Sequence, residues 1–176
     1  MANWFVFHVQ TGQERTACTF LNKLFDNRES IAFIPQIKII IKRSQFIRKE
    51  LKPMFPGYVF IESILGEKIF ISRAYEYTKF SSCIFYLLRN GNVDFGKVRE
   101  EEKELLLSFC NNEYIVEDSK GFIAGDKVFI VSGPLQGKEG IIKKINRHKR
   151  RAEIELQCFG ELRHISVGLE IVSKIT

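Results

Sequence analysis

The spacing of hydrophobic and polar positions changes part-way along the chain, and the change divides it in two. Residues 4–10, WFVFHVQ, are aromatic and β-branched and read as a strand that Thr11-Gly12 breaks. Ala17, Phe20, Leu21, Leu24 and Phe25 then recur at helical spacing, which predicts an amphipathic helix over 13–25. A strand is expected over 33–42, a basic loop over 43–52, and another strand within 53–62, entered at Gly57. Helices over 67–75 and 98–110 flank a strand over 82–88. The second of these helices opens on VREEEK, whose acids complement the positive end of the helix dipole. Strands alternating with helices predict an α+β domain, a sheet backed by helices.

Residues 111–121 are polar and aperiodic and read as a linker. No helical pattern follows it. Short strands are expected at 127–132, 139–146, 151–158, 162–167 and 169–172, separated by glycine or polar turns. About five short strands in so short a stretch predict a small all-β barrel, which closes its edges on itself. The expected organisation is a domain over 1–110, a linker over 111–121 and a barrel over 122–176.

Charge sharpens this picture. The net charge is +6, but two stretches concentrate it: 143–152, KKINRHKRRA, carries +6 and 38–52 carries +5, which leaves the remainder about −5. Such clustering points to a polyanion. Sixteen Phe against one Trp is a heavy load for 176 residues, and a few of those rings are expected on a binding face.

Other classes drop out. Cys18, Cys83, Cys110 and Cys158 are far apart and form no CxxC pair, so buried free thiols are expected rather than a metal site. This usage suits a reducing cytoplasm. No signal peptide or membrane span is read, and a cytoplasmic protein away from membranes is expected. No P-loop, GxSxG or metal pair is present, and the acids 100–104 read as an exposed helix face. Neither an enzyme nor a cofactor is expected.

Two motifs carry more. In MFPGYVFIE, 54–62, Pro56-Gly57 fixes the entry to a strand. Alternation then puts Tyr58 and Phe60 on one face and Val59 and Ile61 on the other. The aromatic face reads either as a contact surface or as a second buried layer. In GDKVFIVSGPLQGKEGIIKKI, 125–145, Gly125-Asp126 can turn into a strand, Gly133-Pro134 out of it, and Gly137 and Gly140 can bend the next one.

The second segment resembles the KOW motif, and the first resembles the FFPGYV motif of the NusG N-terminal (NGN) domain. WFVFHVQTGQE is similar to that domain's opening strand, so the resemblance to the NusG family covers nearly the whole chain. It implies a transcription elongation factor with an NGN domain and an SH3-like KOW barrel. It also implies a hydrophobic patch on the clamp helices of the largest RNA polymerase subunit, at Phe55, Tyr58 and Phe60, with His8 beside them where members often carry Tyr or Phe. Arg73 and Lys79 match the region that approaches the upstream fork and non-template DNA.

The basic run between the expected strands of the barrel places Lys143, Lys144, Arg147, His148, Lys149, Arg150 and Arg151 in one hairpin, able to bridge phosphates of a nascent RNA hairpin. General NusG proteins use this barrel to meet Rho or a ribosomal protein, and their hairpin is less basic. The combination here is more similar to the LoaP branch of the family, which implies processive antitermination through an RNA hairpin. The alternatives are a housekeeping NusG, a paralog of RfaH type loaded at DNA, and a ribosome-associated KOW protein. A monomer is expected.

Overall fold

The computed structural model describes residues 2–43, 46–90, 94–95 and 97–175. In chain order the elements are β1 (Asn3–Val9), α1 (Glu14–Leu24), β2 (Ser30–Phe33), β3 (Gln36–Arg43), β4 (Phe46–Pro53), β5 (Tyr58–Ser63), α2 (Glu67–Thr78) and β6 (Ile84–Leu87). Then come the short β7 (Arg89–Asn90) and β8 (Asp94–Phe95), α3 (Glu100–Leu107), β9 (Ile115–Val116), β10 (Ser119–Ala124) and β11 (Lys127–Ser132). A 3-10 turn (Glu139–Ile141), β12 (Ile142–Asn146), β13 (Arg151–Cys158) and β14 (Glu161–Ile175) complete the chain. They divide into two compact units, Met1–Pro35 with Phe55–Glu104, and Gln36–Met54 with Leu105–Thr176.

In the first unit the sheet order is β2-β5-β1-β6, all antiparallel. One face carries Phe5, Phe7, Val9, Val59, Ile61 and Ile84 onto Ala17, Leu21 and Phe25 of α1 and its end, and onto Phe70 and Ala74 of α2. Phe70 is stacked between Phe5, with centroids 3.9 Å apart, and Phe25, at 5.2 Å. Such aromatic pairs add about 0.5–1.5 kcal/mol each beyond their buried area. Much of the Phe excess is therefore core.

The other face is also filled. Trp4, Phe33, Phe55 and Phe60 pack together edge-on or tilted. The Trp4 indole donates to the Glu62 carboxylate at 2.6 Å, and Lys103 lies over its ring.

Buried Glu14 fixes the turn that leads into β5. Its carboxylate accepts from the backbone N–H of Gly12 at 3.0 Å and of Gly57 at 2.8 Å. Gly57 has φ +84°, and a Cβ there would sit 3.0 Å from the Thr11 hydroxyl, so glycine is required on both counts. Glu14→Ala should cost about 1–3 kcal/mol in chemical denaturation, because it orphans a buried N–H. Glu14→Gln, which keeps an acceptor, should cost less. Equal losses would show that the carboxylate charge in the first turn of α1, not the bond to Gly57, carries the effect.

The second unit holds a five-stranded sheet, ordered β11-β10-β14-β13-β12, and a three-stranded one, β4-β3-β9. Gly125-Asp126 makes the tight turn joining β10 to β11, as expected. Ile130, Leu135, Ile154, Leu156, Ile165, Val167 and Leu169 are buried in this unit.

Local structure differs from expectation at four places. The basic segment 43–52 is no loop, since Arg43 ends β3 and residues 46–52 lie in β4, the two strands pairing from Gln36↔Pro53 to Arg43↔Phe46. The expected linker contains β9 and the start of β10, and β9 pairs in parallel with β3. Glu139–Ile141 is a 3-10 turn rather than strand. The two last expected strands are one, β14, which pairs with β13 up to Gly168 and with β10 from Leu169 onward. A Cβ at Gly168 would collide with the Asp118 carboxylate, so this crossing point is closely packed.

Candidate protein and nucleic-acid interfaces

The register of the first sheet sets His8 opposite Tyr58 on one side and Tyr86 on the other. The His8 ring lies 5.3 Å from Tyr58, 5.0 Å from Tyr86 and 5.3 Å from Phe85. Tyr86 and Phe85 are 52% and 50% exposed, and His8 and Tyr58 are half-buried. Nδ1 of His8 is buried and meets no hydrogen-bond partner among the described residues. The row is thus an aromatic patch with one wet side.

Of the four residues predicted to meet the polymerase, the structure brings His8 and Tyr58 into this row and removes two from it. Phe55 is 3% exposed and Phe60 is fully buried. Both belong to the Trp4–Phe33 cluster, so they are core rather than contact residues. Sequence reasoning missed Phe85 and Tyr86. Their signal was present, two adjacent aromatics in a strand of only four residues.

The two residues expected near DNA differ from one another. Arg73 donates to the Glu29 carboxylate at 2.7 Å, and this bond raises its pKa. Lys79 is exposed at the end of α2, its ammonium 4.4 Å from the centre of the Tyr75 ring. Only Lys79 offers its charge outward without a carboxylate partner among the described residues.

The basic run is displayed on the turn between β12 and β13, where Asn146↔Arg151 is the last pair. The Asn146 side chain caps the turn by accepting from the Lys149 N–H at 2.9 Å, and Arg150 adopts φ +50°. Two of its cations are partly compensated: Lys143 pairs with Glu155 at 3.0 Å and Arg150 with Glu170 at 3.2 Å. Among the described residues no carboxylate pairs with Lys144, Arg147, Lys149 or Arg151. Lys144, Arg147, His148 and Lys149 are exposed. The turn is therefore a cationic ridge.

The second basic stretch is more neutral than its composition implied. Lys38 pairs with Glu117 at 2.8 Å, which raises the Lys38 pKa, and Lys49 pairs with Asp118 at 3.5 Å. Arg48 meets Glu50 at 3.5 Å. The side chains of Lys42 and Arg43 lie outside the described residues. Burial pushes the Cys18 and Cys110 thiols up to about 11, so both stay protonated and unreactive.

Comparison with known proteins turns on the first of these regions. Residues 2–102 match the family model described as transcription termination factor nusG, more than half of the chain. The chain belongs to the NusG family. Residues 124–155 match the KOW motif, a span that contains the whole β12–β13 turn. NusG of Thermus thermophilus, named as a transcription termination/antitermination protein, is 25% identical over 182 residues, covering 97% of each chain. Its namesake in Pseudomonas aeruginosa is 20% identical over 178 residues, covering 98% of each. A solved structure titled for domain interaction in Thermotoga maritima NusG shares the fold, with a TM-score of 0.52 and 22% identity over 97% of this chain and 94% of that one. The NusG match contains the aromatic row and the KOW match contains the cationic ridge. The NGN-plus-KOW architecture is thus an α+β domain followed by an all-β one.

Proposed function

We propose that this NusG-family factor is a processive antiterminator that docks on RNA polymerase through His8, Tyr58, Phe85 and Tyr86 and holds a hairpin in the nascent RNA through its KOW turn. The observation that carries this reading is the ridge of Lys144, Arg147, Lys149 and Arg151, cations with no carboxylate partner among the described residues. Aromatic patches are common anchors of protein interfaces, and cationic ridges suit the A-form backbone, which is read mainly by shape and phosphate. Two contacts on one chain raise the effective concentration of each for its target. The resemblance to the LoaP branch rests on the same ridge. Lys79 is the residue through which non-template DNA would be approached.

A second reading, a KOW domain that meets a protein, is favoured by one feature. Phe122 and Phe129 stack at 5.1 Å across β10 and β11, and Phe129 and Val131 are 43% and 52% exposed. The test compares binding of the full chain to an RNA hairpin and to an unstructured RNA of equal length, across a salt series. The antiterminator reading expects the hairpin to bind more tightly by about tenfold or more, and binding to weaken steeply with salt. Equal binding of both RNAs would discard it in favour of a protein partner on the Phe122–Phe129 patch.

A further inference from the structure

Two clefts flank the β12–β13 turn, and their linings differ. One, about 460 Å³, is lined by Arg147, His148, Arg150, Glu170 and Ile171, so a carboxylate sits among its cations. The other, about 220 Å³, is lined by Ile40 and Ile41 of β3 and by His148, Lys149, Arg150 and Arg151. It has an aliphatic floor and a cationic rim with no acid in its lining. Of its rim residues, Lys149 and Arg151 pair with no carboxylate among the described residues, and Nε of Arg151 is buried without a hydrogen-bond partner there. The floor and rim come from segments more than a hundred residues apart that belong to the same compact unit.

This combination suits an amphipathic anion whose apolar part is small and flat. The cleft lies below the ~300–1,000 Å³ typical of drug-sized ligands, but has room for one planar base. A fully paired stem offers only backbone to such a rim, whereas an unpaired nucleotide offers a phosphate together with a base that can leave the stack. We propose that this cleft takes a single looped-out nucleotide of a structured RNA, its base on Ile40 and Ile41 and its phosphate on Lys149 and Arg151. The inference rests on the hairpin reading above and adds the feature of the RNA that is recognised. It also assigns β3, outside the KOW match, a part in RNA specificity.

The test uses the full chain and two hairpins identical except for one unpaired nucleotide in the stem, made in turn with each of the four bases. A version carrying 2-aminopurine at that position reports by fluorescence whether the base changes surroundings. At least one bulged hairpin should bind about five- to tenfold more tightly than the paired one, the lower part of the range for base stacking because the floor is aliphatic rather than aromatic. Ile40→Ser should abolish that advantage and the fluorescence change, and leave affinity for the paired hairpin and its salt slope unaltered. Ile41→Ser serves as the second variant if Ile40→Ser unfolds, as read by circular dichroism. Equal binding of bulged and paired hairpins overturns this inference and leaves the hairpin reading standing. Failure to bind either hairpin overturns both.

Discussion

Phe60→Ala is expected to lower folding stability by about 3–5 kcal/mol, the usual cost of emptying an aromatic site in a packed core. Phe60 is fully buried and contacts the rings of Trp4, Phe33 and Phe55, so its removal leaves a cavity bordered by three large side chains. Tyr58, two residues away on the same face, is half-buried, and its ring lies beside His8. Tyr58→Ala should cost less than about 1.5 kcal/mol of stability and, as an interface anchor, about 2 kcal/mol in binding to core RNA polymerase. Urea denaturation and a binding titration on the two variants separate the roles. A Phe60→Ala protein of normal stability that fails to bind would return Phe60 to the contact surface, and a Tyr58→Ala protein that binds normally would move the docking face elsewhere.

That contrast marks where the sequence stops being legible. The strand 58–63, its entry at Gly57 and the separation of Tyr58 and Phe60 from Val59 and Ile61 follow from local pattern. Whether the aromatic side faces solvent depends on Trp4 and Phe33, 56 and 27 residues upstream of Phe60, and no local period reports that they pack edge-on or tilted against its ring. The basic segment 43–52 is illegible for a related reason. Phe46, Arg48, Glu50 and Lys52 alternate with Ile47, Lys49 and Leu51, so neither face of β4 is cleanly apolar, and only pairing with β3 makes it a strand. Its charge is legible as composition but not as availability. The acids that engage it, Glu117 and Asp118, lie 79 and 69 residues from Lys38 and Lys49. A glycine such as Gly168 ordinarily interrupts a strand, so local pattern predicts two strands where β14 is one. Here it allows the close approach of Asp118 where the strand changes partner. The KOW turn was legible because it needs nothing distant, only a local excess of cations between two patterned strands.

Replacing Lys144, Arg147 and Lys149 together with alanine should weaken hairpin binding by about 10²–10³-fold at 0.1 M salt. Each cation that neutralises a phosphate contributes about 0.9 to the slope of log K against log salt. Losing three contacts should therefore flatten the slope by about 2.7, and the affinity difference at 0.1 M follows from that slope. All three are exposed side chains on the β12–β13 hairpin, so stability should change by no more than about 0.5 kcal/mol. The informative control is the pair Lys143→Ala and Arg150→Ala. Both residues share the hairpin and the formal charge, but each already has a carboxylate, Glu155 or Glu170, within 3.2 Å. If RNA selects cations that the fold leaves uncompensated, this pair should change the slope by less than half as much per residue as the triple variant. An equal change per residue would mean that the RNA displaces the carboxylates and reads net charge alone. An unchanged slope in the triple variant would mean that the ridge holds no phosphate, and the RNA-binding assignment of the KOW turn would fall with it.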